Sequence, residues 1–154
     1  MKINEMSQRA RNSMLPSYLE IPNFSESERK AALYADLSLS LSTLIVCYQQ
    51  GQRPILLKRY AQVLCRFLLV GSGQNMIDRL LLDHQKLTNI AHKWRSKSLN
   101  TLYLVLCQEI QNAYFKHQVD DIVHAWHLLL KLGIVDMGFT PQEIEHCFFE
   151  LYSN

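Results

Sequence analysis

Ser25 to Gln50 reads SESERKAALYADLSLSLSTLIVCYQQ, and the reading of this stretch decides the fold. It opens as a helix does. Ser25 can accept from a free backbone N–H, and Glu28 can reach back to cap the first turn. No Gly or Pro follows before Gly51, and Leu33, Leu37, Leu41, Leu44 and Tyr48 recur every three or four residues. One signal opposes this. Leu37-Ser-Leu-Ser-Leu-Ser42 alternates with period two, as a half-buried strand would. The alternation covers six residues inside a much longer capped run, so the stretch is read as helix, closed by Gly51.

The same punctuation organises the rest of the chain. Residues 1–24 hold Pro16 and Pro22 and read as a short helix followed by an irregular arm. Pro54 suits an early helical position, and the next helix runs to Gly71. Gly71-Ser-Gly73 reads as a linker; it lacks the Gly-Lys-Ser/Thr ending of a phosphate-binding loop. A third long helix is expected from about Asn75 to Trp94, with Ile77, Leu80, Leu81, Leu87, Ile90 and Trp94 inward. Others follow at about Leu99–His117 and Val119–Leu132, the latter ending at Gly133. The last begins at Thr140-Pro-Gln-Glu143, where Thr caps, Pro takes the first position and Glu the third. The expectation is one all-α domain over residues 1–154, a compact bundle of six or seven helices. The Pro54–Gly71 and Val119–Leu132 helices are apolar over much of their circumference and need cover on more than one side. A homodimer is a natural source of that cover.

Charge is unevenly spread. Residues 1–36 are neutral, residues 37–108 carry a net +7, and residues 109–154 carry a net −5, within a formal total of +2. That split argues against a uniformly basic nucleic-acid coat and a uniformly acidic tail. The four cysteines are widely spaced, with no Cys-x-x-Cys pair, and read as buried thiols. The polar start lacks the apolar core of a signal peptide. The longest apolar runs are broken by serines or by Lys58, Arg59 and Arg66. A cytoplasmic protein without membrane contact is expected.

Clustered ionisable residues fall on the fourth and fifth long helices. Glu109 and Asn112 share a face at a spacing of three, as do Asp121 and His124, with His127 one turn on. A very short turn near His117 makes the two helices antiparallel, so the rows can face each other. Carboxylates on facing helices are how bundles hold Mg²⁺, Mn²⁺ or iron. The plainer reading is available at each position: Asp120 and Asp121 as favourable charges in a first helical turn, Glu109 and the histidines as a solvated face. Arg95 and Lys97 beside Trp94 can meet a phosphate and a base. However, a lone Trp closing a helix usually packs, and nothing resembles a recognition helix or an RNA-stacking motif, so nucleic acid is not expected.

Residues 75–152 resemble the all-α nucleoside triphosphate pyrophosphatases, the group of MazG proteins and dimeric dUTPases. Three stretches carry the likeness. Leu80-Leu-Leu-Asp-His-Gln-Lys-Leu87 is similar to the family's opening helix. Leu104-Val-Leu-Cys-Gln-Glu-Ile-Gln-Asn112 sits where the family has an apolar helix bearing Glu-x-x-Glu. Asp121 to Gly133, followed by Gly138-Phe-Thr-Pro-Gln-Glu-Ile-Glu145, sits where it has Glu-x-x-Asp, a leucine-rich end and a capped last helix. The resemblance implies a homodimer that binds a nucleotide or related phosphate. It implies a divalent cation, Mg²⁺ or Mn²⁺, held by Glu109, Asp121 and His124, with Asn112, Arg95 and Lys97 toward the substrate. The family's four carboxylates read here as Glu109, Asn112, Asp121 and His124. Asn adds no charge and His suits softer metals than Mg²⁺, so impaired or lost catalysis is implied. The alternative is a helical protein–protein interaction module, an adaptor or regulator, with an exposed apolar groove between helices and no enzymatic activity.

Overall fold

The computed structural model describes residues 1–22 and 24–153; Asn23, in the expected arm, and Asn154 lie outside it. Among the described residues there are eight α-helices and no strand: α1 Ile3–Asn12, α2 Glu26–Tyr48, α3 Arg53–Gly73, α4 Ile77–Leu80, α5 His84–Ala91, α6 Leu99–Phe115, α7 Val119–Lys131 and α8 Pro141–Leu151. A π-helical turn, Leu132–Asp136, extends α7. The all-α bundle expected from the sequence is the observed fold.

The decisive stretch is helical from Glu26 to Tyr48, through the alternating Leu37–Ser42 segment. Ser25 caps α2 by accepting from the Glu28 N–H at 3.1 Å. Leu37 and Leu41 face inward while Leu39 points out, as helical rather than strand geometry requires. The intervening serines bond to the helix itself: Ser40 Oγ donates to the Leu37 carbonyl, and Ser42 Oγ to that of Ser38. Thr140 and Glu143 form the expected reciprocal capping box at the start of α8.

The long third helix does not form as expected. It breaks into α4 and α5 because Leu81 adopts an extended conformation and Asp83 caps a new start, accepting from the Lys86 N–H at 2.8 Å. α5 then ends at Ala91, so Trp94 is 90% exposed instead of facing inward. Gly71 does not stop α3 either. The helix runs on to Gly73, and the bare Cα of Gly71 admits Leu80, whose Cδ1 would stand 2.8 Å from an added Cβ. The turn falls instead at Asn75, which has a φ of +54°.

The apolar α3 is covered from within the chain. It packs against α1, α2, α4 and α8, and eleven of its residues are buried. A partner subunit is therefore not needed to cover α3. α6 packs on α7 and, along part of its length, on α2. Trp126 of α7 is fully buried, stacks near Phe67 of α3 at 5.2 Å, and donates through its indole N–H to the Leu80 carbonyl. α1 and α8 are strapped together. The Lys2 N–H donates to Glu145, and Arg9 donates to the Tyr152 carbonyl and lies over the Phe149 ring. The arm after α1 is held by a buried ion pair: Arg66 bonds both Asp36 and the Pro16 carbonyl, and Asp36 accepts from the Tyr18 N–H.

Candidate functional site

α6 and α7 form the antiparallel hairpin expected from the sequence. His117 turns the chain with a φ of +53°, and α7 starts two residues later. In such a hairpin, residues equally distant from the turn stand level. Glu109 lies eight positions before His117 and His124 seven after it, so these two meet: His124 Nδ1 donates to Glu109 Oε1. Asp121, closer to the turn, stands level with Asn112 and Ala113.

The structure thus joins two of the three expected metal-ligating residues. The Glu109 side chain is 12% exposed, and its second oxygen, Oε2, is buried without a partner. That orphan oxygen is suited to a cation. However, Oε1 is already engaged by an imidazole. Among the described residues no three His, Cys, Asp or Glu side chains converge closely enough to hold a metal ion. A hard cation such as Mg²⁺ needs about six oxygen ligands. The donor set does not fit Mg²⁺ or Mn²⁺.

The residues expected on the substrate side are also separated. Arg95 and Lys97 precede α6, whereas Glu109 lies ten residues into it, about 15 Å along the axis at 1.5 Å per residue. Asn112 is half-buried on α6 and Asp121 half-buried in the first turn of α7. Asp120 pairs with Arg79.

What Arg95 and its neighbours do touch is Asp136, a residue the sequence does not single out. Asp136 is 5% exposed. Its carboxylate accepts from the Ser96 N–H at 2.7 Å and the Ser96 hydroxyl at 2.8 Å, with the Lys131 ammonium 3.5 Å away. Its carbonyl accepts from Arg95 and Tyr48. The π-helical turn places it there, and no spacing rule applied to a regular helix would do so.

His127, next in the row after His124, is half-buried. Burial lowers its imidazole below the ordinary value of 6.5, and the nearby Lys93, Lys86 and His124 add to this. The sign follows from linkage. Below pH 6.5 the unfolded chain takes up a proton here that the folded chain accepts only at lower pH, so this stabilisation is present at neutral pH and lost on acidification. His127→Gln is expected to narrow the drop in urea midpoint between about pH 7.5 and about pH 5.5 relative to wild type.

The other notable surface lies where α2 meets α6. A cleft of ≈ 310 Å³ opens between them, lined by Tyr34, Ala35, Ser38, Ile110, Tyr114 and Phe115. Tyr34 and Tyr114 meet edge to face at its floor, 5.3 Å apart. Leu39, Val46, Leu104 and Phe115 stand exposed along the two helices, Leu104 at 65% and Phe115 at 74%. Between Ala31 and Gln52 the single charge is Asp36, which is buried against Arg66; within α6 it is Glu109, which is turned to α7.

No known protein family, characterised protein or solved structure gives a significant match to this chain. The likeness to the pyrophosphatases therefore rests on the quoted residues alone.

Proposed function

We propose that this protein is a helical interaction module without catalytic activity, held as a homodimer through the outer face of α2 and α6. One observation carries the reading: two adjacent helices share an outward face that bears large apolar side chains and little charge, Lys30 over the Tyr114 ring lying at its end. Surface helices ordinarily carry charged residues on the solvent side. α2 departs from this far enough to have the length and composition of a membrane-crossing helix, with only 39% of that segment buried in the bundle.

A second copy suits this face. A two-fold interface brings each patch against itself, so any net charge would repel its own image; a face with little charge keeps that repulsion small. Two helices side by side over the length of α6 span about 25 by 20 Å, or about 500 Å² in projection. That is of the same order as the ~800 Å² per partner of a standard stable interface.

Light scattering on the eluting protein should give twice the 18.0 kDa chain mass. Leu104→Glu leaves the core untouched, because Leu104 is exposed. It should raise the dimer dissociation constant at least about thirtyfold by placing an unpaired charge at the interface. A wild-type monomer at ~100 µM, a concentration at which even a modest dimer would form, would remove the proposal.

A further inference from the structure

The most exposed large apolar side chain of the molecule is Trp94, in the link between α5 and α6. One of the two grounds against nucleic acid in the sequence is that a lone Trp closing a helix usually packs, and this indole does not. Its loop is nevertheless fixed. Two residues on, Ser96 is bonded through both its N–H and its hydroxyl to the buried Asp136, and Ser98 caps α6 by accepting from the Thr101 N–H. An exposed aromatic ring on an anchored loop is pre-organised to bind, since little ordering remains to be done.

The surroundings are cationic. Lys93 and Arg95 flank the indole in sequence, Lys97 follows, and Lys86 lies on α5. No Asp or Glu occurs from His84 to Gln108. Lys93 and Lys86 both bear on His127 of α7, so their charges fall on the same side of the bundle as that helix. Asp136 is engaged by Ser96 and Lys131 and does not neutralise the outer surface.

We infer that the Lys93–Lys97 loop binds single-stranded nucleic acid, with the Trp94 indole stacked on one base and Lys93 and Lys97 on the neighbouring phosphates. A flat ring between cations matches a base between phosphates, and stacking on any base is sequence-tolerant. A duplex keeps its bases stacked inside and offers this ring nothing. A bilayer surface would engage several apolar side chains together, and between His84 and Ser98 Trp94 is the sole large apolar residue that stands exposed.

The test is fluorescence anisotropy with labelled twelve-residue oligothymidylate and oligouridylate, a duplex of the same length, and anionic vesicles as a competitor. Both single strands should bind at low salt and the duplex more weakly. Trp94→Ala should weaken binding by about five- to a hundredfold, with Trp94→Phe retaining most of it. Lys93→Gln with Lys97→Gln should flatten the dependence of log K on log salt by about 1.4, at about 0.7 for each phosphate no longer neutralised. The inference is overturned if neither strand binds, if Trp94→Ala binds as wild type does, or if vesicles bind in a Trp94-dependent way and the strands do not. All these variants change exposed side chains, and an unchanged helical circular dichroism signal checks that they fold.

Discussion

Gly133→Ala is expected to destabilise the protein by about 3–5 kcal/mol and to lower its melting temperature by about 10–15 °C. The reason is local and steric. Gly133 lies in the π-helical turn after α7, and a Cβ built on it would run into the ring and hydroxyl of Tyr60. Tyr60 cannot step aside. It is fully buried, packs against Phe139, and donates its hydroxyl to the Leu129 carbonyl at 2.7 Å. Relief requires either a shift of α7 away from α3 or the rupture of that bond, which leaves the buried Tyr60 hydroxyl without its acceptor, while the Leu129 carbonyl keeps the Leu132 N–H. Thermal melts followed by circular dichroism measure the effect. A double-mutant cycle identifies its cause: in a Tyr60→Leu background, Gly133→Ala should cost less than about 1 kcal/mol, because the obstructing ring is gone. Additive effects of the two substitutions would show that the glycine is required for another reason.

Trp126→Ala should cost about 3–5 kcal/mol, the usual range for emptying a large buried aromatic site. Trp126 joins three elements at once, lying on α7, against Phe67 of α3 and bonded to the carbonyl that ends α4. Trp126→Phe separates the two contributions. It keeps most of the ring but orphans the carbonyl of Leu80, itself a fully buried residue, and should cost about 1–3 kcal/mol. Urea denaturation at neutral pH distinguishes these values. The chain has two tryptophans, one fully buried and one exposed. Disappearance of the blue-shifted component of the emission in Trp126→Phe assigns that component to the core.

The helices that the sequence locates correctly are those whose signals are local. Ser25 and Thr140 announce caps within three residues; at Thr140 the reciprocal cap forms as read, whereas at Ser25 the hydroxyl accepts from the Glu28 N–H and the Glu28 side chain does not reach back. The alternation at Leu37–Ser42 is resolved by its setting in a longer run, and serine hydroxyls bonding back to the helix explain why such a pattern is tolerated. The misplaced features depend on distant partners. Leu80-Leu81-Leu82 fits a helical stripe, but Trp126 holds the Leu80 carbonyl and the chain turns out at Leu81 to start afresh at Asp83. Gly71 and Gly133 look like stops, yet each serves close approach, to Leu80 and to Tyr60.

The candidate site is legible in part. The short turn near His117 shows in the sequence that the two rows face each other; that Glu109 meets His124, with Asp121 one turn short, depends on the turn being centred on His117, which the structure supplies. Asp136 cannot be found this way, because its neighbours Ser96 and Lys131 come together only through the π-helical turn. The exposure of Trp94 follows from the early end of α5, which the expectation of one long helix conceals.

The strap between α1 and α8 bears on the order of events as the chain is made. Its hydrogen bonds join residues 143 positions apart, Lys2 to Glu145 and Arg9 to Tyr152. α3, the most deeply buried helix, is packed by α1 and α2 from before it in sequence and by α8 from after it. While the chain emerges from a ribosome, α3 can collect its first two neighbours early, but the flank destined for α8 stays bare until the other helices of the bundle have been synthesised. Closure of so long a loop is slow compared with local helix formation, and exposed apolar surface invites association in the interval. The nascent protein therefore passes through a stage with two bare apolar faces, one that α8 later seals and one, on α2 and α6, that no later part of the bundle covers.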